Sequence, residues 1–395
     1  MKKVSIYIGS RANFSSAISI LKSIKNSKKL KLSIVIGGAG VIPRYGDIRK
    51  LLDQQGFKKY FVANTLVEGE TPITMSKSVG LGITEFSSIL DLIKPDYVIA
   101  IGDRFDVLPW VISAAMMNIC VAHTMGGERS GTIDESIRHS ITKFSNIHFP
   151  ANNDAKNRIL KMGENKKDVH AVGCPRIDYV LDTLAEIKKG NFISSKSLFK
   201  TYRGTGPIFS LEKSKFLLVL FHPVTTEYGS NKKHIDAILS ALNIMKMNTI
   251  LIWPNADAGS DEISKGIRIF REKYNPNWLH LFINLPLKIY VQLMYQCSCL
   301  IGNSSSGVRE APTIGIKSIN LGSRQFNRSN AMSIINSGLS ERKILLSIKK
   351  LKNIKVKKNY LFGNGNADKK FKNILLKDSF WKKFKTKKFI DIKYK

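Results

Sequence analysis

The chain has 395 residues, 43% hydrophobic and 24% charged, with a formal net charge of +33. That is enough chain for two ordinary domains with their own cores, and the balance excludes a disordered or fibrous class. The longest apolar run, Pro109 to Ala122, is too short for a membrane span, and the N-terminus lacks the apolar core of a signal peptide, so a cytoplasmic location is expected.

Val4–Ile8 alternates like a strand and runs into Gly9-Ser10-Arg11, followed by a helical run from Ser15 to Ser27. Leu32–Ile36 predicts a second strand ending in Gly37-Gly38, and Tyr60–Val62 a short third. A helix is expected over Thr71–Ile93, with apolar residues at near-helical spacing (Ile83, Phe86, Ile89, Leu90, Ile93) and Pro95 to stop it. Tyr97–Ile101 is an apolar strand entering Gly102-Asp103-Arg104. The helix Pro109–Met117, the strand Ile119–His123, the helix Ile133–Phe144 and the strand Ile147–Pro150 follow, then the helix Asn153–Met162 and the strand Val169–Val172. Strands apolar on both faces, alternating with helices, mean a parallel sheet covered on both sides.

Past Asp178 the pattern loosens into a polar, lysine-rich stretch, and a second alternating set then begins. Its strands are Phe216–Phe221, Thr249–Trp253, Leu279–Ile283, Cys299–Ile301 and Ile319–Leu321. The expected organisation is an N-terminal unit over 1–180, a connection over 181–207, a second unit over 208–376 and a basic segment over 377–395. Two α/β units joined in this way imply two sheets facing a cleft, with ligands at the carboxyl ends of the strands.

The polar clusters fall at such ends. His123 to Lys143 concentrates glycines, carboxylates, arginines and histidines between two apolar runs, which a core does not need. Within it Asp134 and Arg138 are four apart on a helix start and share a face, and the arginine would hold a neighbouring carboxylate ionised. Without that role the two are a surface ion pair. Gly302-Asn303-Ser304-Ser305-Ser306-Gly307 follows a strand and precedes a helix expected to start near Val308. Its glycines permit close backbone approach, and its hydroxyls and helix amides would face an anion. It lacks the lysine of a nucleoside-triphosphatase loop. Glu310 is either a ribose-hydroxyl acceptor or a charge suited to a helix start. Arg11 is placed to meet a phosphate, Asp103 is a helix cap or an acid/base group, and His222 is a phosphate donor, an acid/base group or a histidine satisfied by backbone.

The charge and the cysteines carry less. Lysine is abundant along the whole chain and no nucleic-acid-binding signature accompanies it, so the charge is read as solvated faces, with no specific nucleic-acid partner. Four scattered cysteines, Cys120, Cys174, Cys297 and Cys299, form neither a disulfide framework nor a metal set, and no metal is expected.

In their order and spacing these pieces resemble the hydrolysing UDP-N-acetylglucosamine 2-epimerases of sialic acid and related nonulosonic acid biosynthesis. The matching stretches are GSRANF at Gly9–Phe14, GDRF at Gly102–Phe105, GGERSGTIDESIRHSITK at Gly126–Lys143 and VGCPRID at Val172–Asp178. In the second half they are HPVTTE at His222–Glu227, PNADAGSD at Pro254–Asp261, GNSSSGVREAP at Gly302–Pro312, NLGSRQFNR at Asn320–Arg328 and GNGNADKK at Gly363–Lys370.

The resemblance implies the GT-B arrangement of two Rossmann-like domains. It implies conversion of UDP-N-acetylglucosamine to N-acetylmannosamine and UDP, by elimination and then hydration, with no cofactor. A UDP- or GDP-linked diacetamido-trideoxy sugar is the alternative substrate, and a GT-B glycosyltransferase or an inactive basic scaffold the alternative function. It places acid/base chemistry on Asp103 and Asp134, with Arg138 and His222 in support, and Glu128 is the candidate to serve for the acid that Met125 replaces. Substrate binding falls on Arg11, Asn255, Gly302, Ser304, Ser305, Ser306, Gly307, Glu310 and Arg324, and a homo-oligomer, dimer or tetramer, is expected. Met125 stands where many members carry an acid, Ser323 where an aspartate is common, and Ser16 where a glycine often stands.

Overall fold

A computed structural model describes residues 1–202, 204–381 and 387–391. The rest of the expected basic segment, 382–386 and 392–395, lies outside the described residues. The strands of the first sheet are β1 (Lys2–Ile8), β2 (Leu30–Gly37), β3 (Phe61–Ala63), β4 (Tyr97–Ile101), β5 (Cys120–Thr124) and β6 (Ile147–Phe149). They are parallel, in the order β3-β2-β1-β4-β5-β6. The intervening helices are α1 (Arg11–Lys25), α2 (Ile48–Gln54), α3 (Pro72–Ile93), α4 (Leu108–Met116), α5 (Ile133–Phe144) and α6 (Asn153–Lys161). The chain then runs through α7 (Pro175–Lys188) and α8 (Ser195–Thr201).

The second sheet has seven strands: β7 (Gly204–Thr205), β8 (Leu217–Leu220), β9 (Thr249–Ile252), β10 (Leu279–Phe282), β11 (Cys299–Gly302), β12 (Ser318–Leu321) and β13 (Ile334–Ser337). Its order is β13-β12-β11-β8-β9-β10-β7, parallel except for the edge strand β7. Its helices are α9 (Asn231–Met245), α10 (Ser260–Tyr274), α11 (Leu287–Gln296), α12 (Glu310–Ile314) and α13 (Glu341–Lys350), and α14 (Ala367–Leu375) and α15 (Asp378–Trp381) follow.

Because side chains alternate across a strand, each sheet has a core on both faces. In β1, Ile6 and Ile8 pack under α1, while Tyr7 faces Phe86 of α3 and Trp110 of α4. In the second sheet Leu217 and Val219 face α9, and Leu218 faces the layer of α7 and α11. Each sheet reverses its winding once, between β1 and β4 in the first and between β8 and β11 in the second. Strand-end loops diverge there and leave a crevice.

The packing differs from the expected partition at two places. The connection over 181–207 is largely helical: Leu184, Ile187, Leu198 and Phe199 belong to the second core. Helix α7 packs on α1 and α14 and also on α11 and α12, so it braces both units. Helix α14, grouped by sequence with the second unit, packs on the first. Phe371, Leu375 and Phe380 sit in the core with Val4 and Ile6, and the Tyr97 hydroxyl donates to the Phe380 carbonyl over 2.9 Å. The expected strand at Val169–Val172 is reduced to one bridge between His148 and Val169. Strands β7 and β13 carry no apolar run long enough to announce them.

No described helix is long and apolar enough to cross a membrane. Phe371 is fully buried, so Phe371→Ala is expected to cost about 3–5 kcal/mol. The measurement is a lower denaturation midpoint for the first unit at unchanged slope.

Candidate functional site

The two winding reversals face each other across one cleft of about 650 Å³. From the first unit come the β1 end (Ser10, Arg11, Asn13) and the β4 end (Gly102, Asp103, Arg104), with Asp134 from α5. From the second come the β8 end (His222), Asn255 after β9, Ser304–Ser306 after β11, Glu310 and Arg324. Most of the expected residues therefore line one cleft, from its two sides. Glu128, Arg138, Gly302 and Gly307 lie behind it.

Asp103 is fixed from below. Arg138 of α5, with no exposed surface, donates to Asp103 Oδ2 from Nε over 2.8 Å and from Nη2 over 2.6 Å, and Arg328 stands 3.8 Å away. Burial opposes the charge on Asp103, but the guanidiniums of Arg138 and Arg328 outweigh it and hold the carboxyl well below the usual range. Arg138 also donates to the Glu128 carbonyl and to Ser130 Oγ, so its orientation is fully specified.

Asp134 behaves oppositely. It sits in the first turn of α5, which Thr132 caps, and its side chain keeps 26% exposure to the cleft. Its nearest cation is Arg324 at 4.0 Å. Burial, and then the charge of Asp103, push its carboxyl up to about 6, against Arg324 and Arg104. Two chemically identical side chains at one cleft thus differ in proton affinity, the pattern that separates a fixed charge from a proton carrier.

Glu128, 3% exposed, accepts from Arg309 and from Arg328 Nε over 2.8 Å. Its carboxylate belongs to the first unit and both arginines to the second, so the pairing exists only with the units closed together. Arg104 makes another crossing, 2.7 Å from Asp257 and 3.3 Å from Asp106. Met125, at the commonly acidic position, is 6% exposed with φ +60, a backbone region that costs an L-residue roughly 1–2 kcal/mol. Its sulfur lies 3.3 Å from Cys174 Sγ and 3.3 Å from Arg309 Nη1.

His222 is neutral. Burial and the nearby Arg324 push it down to about 3. Its Nδ1 accepts the Asn255 backbone N–H over 3.2 Å, which leaves the proton on Nε2. Asn303 exchanges two hydrogen bonds of 2.8 Å with the His222 backbone and locks β8 to β11 at the site. The Asn255 amide donates to Asp257 Oδ2, and its own Oδ1 has no protein partner.

The serine cradle differs from the expected strand–loop–helix. Ser304 caps a short 3-10 turn over Ser305–Gly307, and the following α12 has only five residues. Helix amides therefore contribute little there, and the polar surface is a hydroxyl chain. Ser304 Oγ is 2.9 Å from Ser306 Oγ, which is 2.5 Å from the Tyr290 hydroxyl. Gly302 is required by space: with φ +143, a β-carbon would lie 1.9 Å from the Leu220 carbonyl oxygen. Gly307 meets nothing closer than 3.7 Å and carries no such requirement. Glu310, 2% exposed, pairs through Oε1 with Arg176 at 3.2 Å, while Oε2 has no protein partner. Arg11 donates to the Leu285 carbonyl, and burial pushes its guanidinium down to about 10. Arg324 Nη1 donates to the Asn303 carbonyl over 3.1 Å.

Sequence reasoning passed over Arg104, Arg176, Asp257, Arg309 and Arg328. Each stands inside a motif already noted, and all but Arg176 are next to or a few residues from a chosen residue. What it lacked was the partner on the other half of the chain. Among the described residues no group of three or more His, Cys, Asp or Glu is placed to hold a metal ion.

A two-sheet cleft of this kind defines a GT-B-like α/β protein. The family model described as UDP-N-acetylglucosamine 2-epimerase matches residues 22–376, and the chain belongs to that family. The chain is 30% identical to the UDP-N-acetylglucosamine 2-epimerase of Neisseria meningitidis, over 99% of this chain and 100% of that one. It is 33% identical to the GDP/UDP-N,N'-diacetylbacillosamine 2-epimerase (hydrolyzing) of Campylobacter jejuni, over 86% of this chain and 85% of that one. A crystal structure of the Neisseria meningitidis UDP-GlcNAc 2-epimerase bound to UDP-GlcNAc superposes with a TM-score of 0.76 at 20% identity, covering 95% of this chain and 100% of that one. That superposition supports the fold.

The raised Asp134 pKa sets a stability test. The native carboxyl holds its proton to about pH 6 while the unfolded one loses it near 4, so native stability falls as pH climbs from about 4 to about 6 and the full loss persists above. Asp134→Asn removes that loss. It is expected to melt above wild type at about pH 7.5, with the difference closing near about pH 4.

Proposed function

We propose that the protein is a hydrolysing 2-epimerase that converts UDP-N-acetylglucosamine and water to N-acetylmannosamine and UDP. The observation that carries this is the unequal pairing of two carboxylates at the cleft: Arg138 donates twice to Asp103, over 2.8 and 2.6 Å, while the cation nearest Asp134 stands 4.0 Å away. Inversion at C2 requires a group that gives and takes a proton near neutrality, and Asp134, at about 6, is that group. Asp103, held ionised by Arg138, supplies fixed negative charge beside the positive charge that develops at the sugar carbon as the C1–O bond breaks. The bonding electrons leave with UDP, and the C2 proton passes to Asp134. Water then gives its hydroxyl to C1 of the unsaturated sugar and its proton to C2 on the opposite face, and Asp134 returns the proton it took to solvent. His222 Nε2–H and the hydroxyls of Ser304 and Ser306 are neutral donors suited to a diphosphate, and the unpartnered Glu310 Oε2 to a ribose hydroxyl.

A second substrate reading has its own support. The relative at 33% identity is named for a diacetylbacillosamine sugar linked to GDP or UDP. Met125 presents an apolar side chain to the cleft where an acid is common. A panel of UDP-N-acetylglucosamine and UDP- and GDP-linked N,N'-diacetylbacillosamine in deuterated water separates the readings. Free N-acetylmannosamine carrying deuterium at C2, plus UDP, is expected. An intact nucleotide-linked epimer would contradict hydrolysis, and unchanged sugars without an acceptor would favour a glycosyltransferase.

Asp103→Asn and Asp134→Asn are expected to lose turnover while keeping UDP affinity within about threefold, which calorimetry measures. Loss of UDP affinity in either would contradict the assignment. The wild-type kcat/KM should rise with pH through about 6 and show no further histidine limb, because His222 stays neutral.

A further inference from the structure

The basic C-terminal segment has no part in the reaction as derived above. Asp378–Trp381 forms α15 on the first core, and of the described residues 387–391, Lys387, Phe389 and Ile390 lie against the far end of α5 and the turn after α6. Lys387 Nζ donates to the Thr142 carbonyl over 2.9 Å and to the Lys143 carbonyl over 2.8 Å, and stands 2.7 Å from Glu164 Oε2. Those three partners use all three ammonium protons. Two of them are last-turn carbonyls of α5, at the negative end of its dipole, where a cation is favoured.

The neighbouring residues add independent holds. The Ile390 N–H donates to the Gly163 carbonyl over 3.1 Å. The Phe389 ring lies on Gly163, where a β-carbon would come within 2.6 Å of it, and the Lys143 ammonium stands 4.8 Å from the ring centre. Lys143 itself donates to the Met162 carbonyl and to Glu164 Oε1, each over 2.9 Å, and His148 of β6 is 3.0 Å from Glu164 Oε2. The buried Glu164 thus gathers α5, β6 and the C-terminal segment at one point.

We propose that residues 387–391 are a positioning strap for the helix that presents Asp134 and Arg138 to the cleft. Asp134 opens α5 and Lys143 stands in its last turn, roughly 13 Å away along the axis at 1.5 Å per residue. A hold at that distance sets the axial position and tilt of the whole rigid helix. Lys387 does not line the cleft, so it is a positioning residue and not a catalytic one. The inference rests on the reading of Asp134 as the proton carrier.

The test compares full-length Lys387→Met, Lys387→Arg and Phe389→Ala with wild type. Amide hydrogen exchange over residues 137–145 is followed alongside kinetics on the nucleotide sugar that the panel identifies. Faster exchange in α5 is expected for Lys387→Met and Phe389→Ala. Their kcat should fall roughly tenfold to a hundredfold, the scale of a small misplacement of reacting groups, with KM held within about twofold. Lys387→Arg, which can still cap the carbonyls, should restore both. Unchanged exchange would overturn the strap, and faster exchange with unchanged kcat would overturn its positioning role. A KM that rises with the fall in kcat would indicate general damage to the site and would also count against it. Exchange requires no turnover, so a failure of the epimerase reading still leaves the strap decided by exchange.

Discussion

The site depends on one buried ion cluster. Two carboxylates, Asp103 and Glu128, face three guanidiniums, Arg138, Arg309 and Arg328. None of these side chains could be buried alone, because the desolvation cost of an unpaired charge is several kcal/mol. Together they are neutralised to within one positive charge. The pairing of Glu128 with Arg309 and Arg328 crosses from one unit to the other, so the cluster is complete only when the cleft is closed. Such a cluster adds little net stability but strongly prefers one arrangement. The surplus positive charge lies at the cleft itself, whose lining includes Asp103, Arg309 and Arg328.

The two sheets place this cluster without help from long loops. Each changes its winding direction once, and at both reversals the strand ends leave backbone and short polar side chains facing outward. Asp103 and Arg11 stand at one reversal and His222 and Ser304 at the other. Helix α7, packed on both units, and helix α14, which returns to the first, tie the halves together. The cleft lining is thus carried by rigid elements, which favours geometric precision at the site.

Much of the fold was legible because its signals are local. Continuous apolar strands such as Tyr97–Ile101 and glycine-ended strands such as Cys299–Gly302 are written into consecutive residues. The candidate residues at those ends largely met in one cleft for the same reason. Strands β7 and β13 were missed because two or four unremarkable residues pair only when a neighbouring strand is offered. The cradle helix was over-read: GNSSSG promises a helix start, but the chain makes a 3-10 turn and then five helical residues ended by Gly315. Arg309 and Arg328 were within noted motifs and still passed over, since their partner Glu128 lies 181 and 200 residues away.

The sequence by itself determined two α/β units, strand ends rich in glycine and short polar residues, and the order of the motifs. It could do so because hydrophobic period, turn chemistry and side-chain type are properties of neighbours along the chain. Only the tertiary structure decided that Asp103 is held ionised while Asp134 rises, that His222 stays neutral, and that Lys387 sits on the end of α5. Ionisation and capping depend on burial and on charges brought within a few ångströms. Those distances are set by folding, between residues that the chain keeps far apart.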